Sequence, residues 1–263
     1  MSRRKGYALT PRGQRRVNPQ VTISEEAGVR YLHFGTEWVQ GAMRIARPFA
    51  LELEYQQQMM APLLFLPFPA HVVQLGLGAA ALTKYCYRHL PEARVSVAEL
   101  SGGVVDAARL WFSLPPDDAR LTVHLDDARG FIADPARRGR ADWLQVDLYD
   151  SAARGPVCDD VAFYVACRRA LASPGVAVFN LFGSSFEASY GAIAPAFADR
   201  VLVLPEVDAG NRVALAFNGP PIDWSWGELQ RAARQAEARH RLPLRQWADA
   251  IERSGQFGTR LRI

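Results

Sequence analysis

Five short strand-like runs punctuate the middle of the chain: His71–Leu75, Arg94–Glu99, Leu121–Leu125, Trp143–Asp147 and Gly175–Leu181. Stretches with apolar residues at helical spacing alternate with them, near 80–90, 103–112, 127–133, 157–172 and 185–198. Strand-length runs alternating with helical periods predict β-α units, and five such units predict a parallel sheet covered by helices on both faces. The run Gly175-Val-Ala-Val-Phe179 is continuously apolar, as a strand buried on both faces must be. The alternation then breaks. Residues 201–207 and 211–217 are both strand-like and are separated only by residues 208–210. So short a link cannot carry a parallel crossover, so the pair is expected to be an antiparallel hairpin.

The flanks read more simply. Residues 21–45 hold short strand signals, with Val29–Phe34 followed by a Gly35-Thr36 turn and a second run at Glu37–Gln40. Residues 48–65 predict a helix with Phe49, Leu53, Met59, Met60, Leu63 and Leu64 as its apolar positions. Residues 225–254 predict one or two closing helices. The expected division is a basic tail over 1–20, a β-hairpin region with a linking helix over 21–65, and a Rossmann-like domain over 66–263.

Composition changes this picture in three places. With 49% hydrophobic and 22% charged residues, the 263-residue chain is of globular type and not a disordered, collagenous or coiled-coil sequence. The net charge of +4 resides in the tail: six basic residues fall within positions 1–16, and no acid precedes Glu25, so the remainder is slightly acidic. Such a tail is a solvated end, with weak, sequence-independent nucleic-acid contact as the alternative. The three cysteines, Cys86, Cys158 and Cys167, form neither a CxxC motif nor an even set, which argues against a disulfide framework or a zinc site and fits a reducing cytoplasm. Ala61–Leu82 runs 22 residues without a formal charge. Pro62, Pro67 and Pro69 would break a spanning helix there, so a helix end, a turn and a buried strand are expected instead of a membrane segment.

In an open α/β sheet the chemistry sits beyond the carboxyl ends of the strands. After the first strand comes Gly76-Leu77-Gly78-Ala79-Ala80, small residues that let a helix N-terminus approach a ligand. After the second comes Glu99, 21 residues past Gly78, placed to accept both hydroxyls of a ribose or to sit at a helix start. After the third comes Asp126-Asp127-Ala128, with a carboxylate for an adenine amino group and a helix cap, expected at Asp126, as the alternative. After the fourth comes Asp147-Leu148-Tyr149-Asp150. Two carboxylates there suit an amine substrate, one as general base and one for a second ammonium. A turn capped by Asp150 is the other reading. No histidine pair has metal-ligand spacing, no P-loop is present, and Gly183-Ser184-Ser185 lacks the nucleophile-elbow pattern.

These motifs resemble the spermidine synthase family of aminopropyltransferases. The resemblance covers about residues 28–218 and rests on Val72-Val-Gln-Leu-Gly-Leu-Gly78, Glu99 with Val104-Val105-Asp-Ala-Ala-Arg, Asp127-Ala128, Asp147-Leu-Tyr-Asp150 with Pro156, and Leu171-Ala-Ser-Pro-Gly-Val-Ala-Val178. It implies a class I methyltransferase-like sheet of seven strands with a small N-terminal β-hairpin domain, and commonly a homodimer. It also implies a reaction: decarboxylated S-adenosylmethionine gives its aminopropyl group to a polyamine amine, methylthioadenosine leaves, and no metal takes part. Carried over, Gly76, Gly78, Glu99, Asp127 and Ala128 hold the donor, and Asp147 and Asp150 take the amines, with Asp147 as base. Gln40, Tyr55 and Tyr149 complete the substrate side. Two positions depart from the family: Gly78 or Ala79 stands where it carries an acid, and Tyr55-Gln56-Gln57 replaces its Tyr-His-Glu step. Methyl transfer from intact S-adenosylmethionine, or nucleoside binding without catalysis, are the alternatives.

Overall fold

The computed structural model describes residues 21–150, 154–207 and 210–263. The basic tail and residues 208 and 209 of the 208–210 link lie outside these residues.

The chain begins with an antiparallel meander of β1 (Thr22–Glu26), β2 (Val29–His33) and β3 (Gly41–Arg44). The expected strand at Glu37–Gln40 begins later than predicted. Trp38 and Val39 stand 61% and 44% exposed, and pairing with β2 starts only where Gln40 N donates to Leu32 O. The helix expected over 48–65 shrinks to α1 (Glu54–Gln58) and a 3-10 turn at Ala61–Leu64. Pro62 sits in the first turn of the latter, where its missing N–H costs nothing but breaks any continuous helix.

The body follows in β-α units: β4 (His71–Leu75), α2 (Ala81–His89), β5 (Arg94–Glu99), α3 (Gly102–Trp111), β6 (Leu121–Leu125), α4 (Ala128–Ala133), β7 (Ala141–Val146), α5 (Val161–Ala170), β8 (Leu171–Phe182) and α6 (Phe186–Ala196). It closes with β9 (Val201–Val203), β10 (Asn211–Asn218), β11 (Asp223–Ser225), α7 (Trp226–His240), α8 (Leu244–Arg253) and β12 (Arg260–Arg262). The main sheet has seven strands in the order β6-β5-β4-β7-β8-β10-β9. β10 runs antiparallel to both β8 and β9, with Ala214 opposite Val203, as the short link predicted. The expectation missed the small β11–β12 pair, whose three-residue strands carry no readable period.

Successive residues of the central strands feed two separate cores. In β7, Trp143 packs with the cluster under α2, α7 and α8, while Leu144 and Val146 pack with α4, α5 and α6. The apolar runs are continuous for this reason. The first core is interrupted by a buried polar ladder. Gln74 of β4 donates to Gln145 of β7 at 2.5 Å, and Thr83 of α2 donates to Gln74 at 2.7 Å. That ladder fixes α2 to the sheet directly below the glycine turn that starts it. The uncharged stretch 61–82 is the 3-10 turn, β4 and this turn, and no helix among the described residues is long and apolar enough to cross a membrane.

Candidate active site

The first half of the site is made of turns. Gly76 leaves β4 with φ +93°, and a Cβ there would lie 2.3 Å from Asp147 O, so only glycine lets β4 exit against β7. Gly41 makes a second close approach, since a Cβ on it would meet Ala79 Cβ at 2.6 Å. The N-terminal meander is thus pressed onto the glycine turn, where Leu32, Met43 and Ala79 share a small core with Ala107 of α3 and Phe112 at its C-terminal end.

Glu99, the last residue of β5, clamps this turn. Its Oε2 accepts from Leu77 N at 3.0 Å and its Oε1 from Ser101 N at 2.8 Å. Burial pushes its carboxyl above the usual range, and backbone N–H donors oppose that rise. One strand further out, Asp127 caps α4: its Oδ2 accepts from Gly130 N at 2.9 Å. The cap expected at Asp126 therefore falls one residue later, because Asp126 spends Oδ1 on Asp127 N at 2.8 Å. Ala128 is the first, buried residue of that helix. Leu100 and Leu125, beside Glu99 at the strand ends, are half exposed, and the sequence patterns did not single them out.

The second half is made of side chains. Asp147 follows β7, with its N–H donating to Leu75 O at 3.0 Å. Its Oδ1 accepts from Asn180 Nδ2 at 2.9 Å, and its Oδ2 accepts from the Tyr55 hydroxyl at 3.3 Å. Burial raises the Asp147 carboxyl above its ordinary range, and these two neutral donors only partly offset it. Asn180 is held in turn by Asn211 Nδ2 at 2.9 Å, and its backbone carbonyl accepts from the Tyr149 hydroxyl at 3.1 Å. Burial, and then the Asp147 charge, push the Tyr55 hydroxyl well up, so it stays a proton donor to the carboxylate.

The structure does not bring Asp150 into this cluster. Its carboxylate accepts from Arg154 N at 2.9 Å and from Arg154 Nε at 3.2 Å, while its backbone carbonyl accepts from Gln40 Nε2 at 3.2 Å. Gln40 thereby ties the meander to the turn after β7. Asn180 and Asn211 were missed by sequence reasoning, because each lies far along the chain from Asp147 and no motif joins them; Gln56 was noted only as part of the Tyr55-Gln56-Gln57 departure.

Comparison with known proteins places this arrangement. No family model matches the chain. It is 30% identical over 218 residues to a polyamine aminopropyltransferase of Neisseria meningitidis, covering 82% of each chain. The chain belongs to the polyamine aminopropyltransferase family. A second member, from Chromobacterium violaceum, is 29% identical over 240 residues, covering 90% of this chain and 91% of the relative. As a member of this family the protein is a transferase. Among solved structures, a probable spermidine synthase from Corynebacterium glutamicum superposes with a TM-score of 0.67 at 20% identity, over 81% of this chain and 83% of that one. Human methyltransferase-like protein 13, in complex with SAH, superposes at 0.63 and 22% identity, over 72% of this chain and 92% of that one. Both likenesses concern the fold, a methyltransferase-type sheet shared by the two chemistries.

Proposed function

We propose that this protein transfers the aminopropyl group of decarboxylated S-adenosylmethionine to the primary amine of an acceptor of the polyamine kind, releasing methylthioadenosine. One observation carries the reading: a half-buried carboxylate, Asp147, stands at the carboxyl edge of the sheet with no cation beside it among the described residues and with neutral donors on both oxygens. A carboxylate so placed attracts an ammonium, takes its proton and holds the freed nitrogen. Burial favours this step, since a base whose carboxyl is raised toward neutrality accepts a proton more readily. The remaining work is alignment of nitrogen, carbon and sulfur, which the rigid strand ends supply.

The donor side follows from the turns. The adenosine lies across the ends of β4, β5 and β6, with its ribose hydroxyls on Glu99, its adenine amino group at Asp127, and its ring against Leu100 and Leu125. Gly76 and Gly78 let the donor chain pass close to the backbone. Gln40 and Tyr149 brace the acceptor side, and Asp150 shapes the turn that Gln40 holds.

Methyl transfer is the second reading, favoured by one feature: the glycine turn, Gly76-Leu-Gly-Ala-Ala80, contains no acid to bind the amine of a decarboxylated donor. Calorimetric titration separates the two. Decarboxylated donor binding more tightly than intact donor supports aminopropyl transfer, and the opposite order supports methyl transfer.

A further inference from the structure

One strand of the main sheet runs against the others, and it brings its first residue to the catalytic edge. The strands from β4 to β8 present their carboxyl ends there, whereas β10 presents Asn211, opposite Phe182 at the end of β8. The Asn211 backbone is pinned from the far side: its N–H donates to Val207 O at 3.0 Å, and its carbonyl accepts from Val207 N at 2.9 Å. Asn180 is pinned as well. It is buried, stands opposite Val213 of β10, and its carbonyl accepts from the Tyr149 hydroxyl. The two side chains meet between fixed backbones, where Asn211 Nδ2 donates to Asn180 Oδ1 at 2.9 Å.

An ionised carboxylate only accepts, whereas an amide offers a donor at one end and an acceptor at the other. Asn180 gives its Nδ2 to Asp147 Oδ1, and its Oδ1 is taken by Asn211 on the opposite side. Turned by half a rotation, the amide would set oxygen against Asp147 Oδ1 and nitrogen against Asn211 Nδ2. Two bonds would become two repulsions. Without Asn211 the amide has no such constraint, and it would serve a protonated Asp147 equally well by turning Oδ1 to the O–H. Burial makes that outcome a real competitor, because it raises the Asp147 carboxyl toward the form that cannot act as a base.

We propose that Asn211 is a positioning residue that keeps Asp147 ionised: by occupying Asn180 Oδ1 it forbids the amide reversal that would accommodate a protonated carboxyl. The kinetic consequence of that role rests on the aminopropyl-transfer reading above. Among the described residues, the titratable groups that face Asp147 are the Tyr55 and Tyr149 hydroxyls. Burial first and the Asp147 charge next push both up, so both stay neutral. Beside Asn211 in β10, the Arg212 guanidinium pairs with Glu206 at 3.0 Å. Neither phenol supplies a charge to hold the carboxylate, so the direction of the Asn180 dipole weighs heavily on it.

Asn211→Asp tests this by reversing the amide, since an acceptor then stands where Asn180 Oδ1 now finds a donor. The Asp147 carboxyl is titrated directly by carbon-13 NMR of aspartate-labelled protein, with its signal assigned through Asp147→Asn. Methylthioadenosine release from decarboxylated donor and 1,4-diaminobutane is followed against pH. Asn211→Asp is expected to raise the Asp147 pKa by about one unit or more and to move the acid limb of the kcat profile with it, which is about tenfold in turnover below the limb. With Asn180→Ala already in place, the same substitution is expected to shift the carboxyl less than about half as far, because the new charge then acts without the amide. An equal shift in that background reports bare charge repulsion and overturns the inference. An unchanged pKa in a variant of parental Tm overturns it too, and leaves aminopropyl transfer standing. A raised pKa in the variant, with no methylthioadenosine released by either protein at any pH, supports the hold of Asn211 on Asp147 and overturns the transfer reading. Asn211→Leu is similar in size and carries no polar group, so it answers the question if Asn211→Asp does not fold. It is expected to raise the pKa by about half a unit, roughly threefold in turnover below the limb, and an unchanged pKa there removes Asn211 from the role.

Discussion

The two halves of the site are built by opposite means. On the donor side, side chains grip backbone: Glu99 holds Leu77 N and Ser101 N, and Asp127 holds Gly130 N. On the acceptor side, side chains grip one another, through the chain Gln56–Tyr55–Asp147–Asn180–Asn211. The first arrangement is local and depends on turn geometry. The second is long-range and depends on five residues from four separate segments. A backbone-built pocket tolerates change in its neighbours, whereas a side-chain network transmits every deletion to the charge at its centre.

Substitution at Asp147 should divide the halves most sharply. Asp147→Asn is expected to lower turnover by about 10²–10⁴, the usual cost of a lost general base, while donor affinity stays within about threefold. Its melting temperature should stay at or above the parent's, because a half-buried carboxylate whose charge two neutral donors only partly offset is replaced by a neutral amide. A loss of donor affinity as large as the loss of turnover would erase the distinction between the halves.

The reverse cut is Glu99→Ala. Loss of two charge-assisted bonds to backbone N–H groups should weaken donor or methylthioadenosine binding by roughly 10–100-fold in a titration. Turnover at saturating donor should fall by less than about tenfold.

Asn180→Ala sharpens the comparison through pH. Asp147 must be ionised to act as base, so turnover falls as pH drops through its raised pKa. Asn180 is the donor that lowers that pKa most. Removing it should raise the pKa further and move the acid limb of the kcat profile to higher pH, with turnover near neutrality down about tenfold. A limb that stays in place would mean that Asp147 is not the titrating base.

The smallest effect belongs to Asp127→Ala. A lost helix cap costs about 0.5–2 kcal/mol, or roughly 2–4 °C in Tm per kcal/mol for a protein of this size. Acceptor kinetics should not change. Any shift in acceptor KM would show that the two halves are coupled.

The same contrast explains what the sequence made legible. His71–Leu75, Arg94–Glu99 and Leu121–Leu125 were placed to the residue, because each is a short run rich in strand-forming residues between turn and helix signals. The placement of Gly76 and Glu99 side by side was legible for a related reason: Gly76 follows β4, Glu99 ends β5, and the topology alone brings these strand ends together. The 48–65 helix failed because Met59, Met60, Leu63 and Leu64 keep helical spacing through a 3-10 turn that Pro62 forces. Asn180 and the bond from Gln56 to Tyr55 were illegible. A polar residue inside an apolar pattern reads as noise until its partners, Tyr55 and Asn211, are seen beside it.

The central claim is that Asp147 carries an aminopropyl transfer. Its most direct test is a mass-spectrometric assay of the purified protein with decarboxylated S-adenosylmethionine and primary amines, run beside Asp147→Asn. The account predicts methylthioadenosine together with an amine heavier by one aminopropyl group, both reduced by about 10²–10⁴ in the variant. Product from intact S-adenosylmethionine alone, or equal yield from parent and variant, would contradict it.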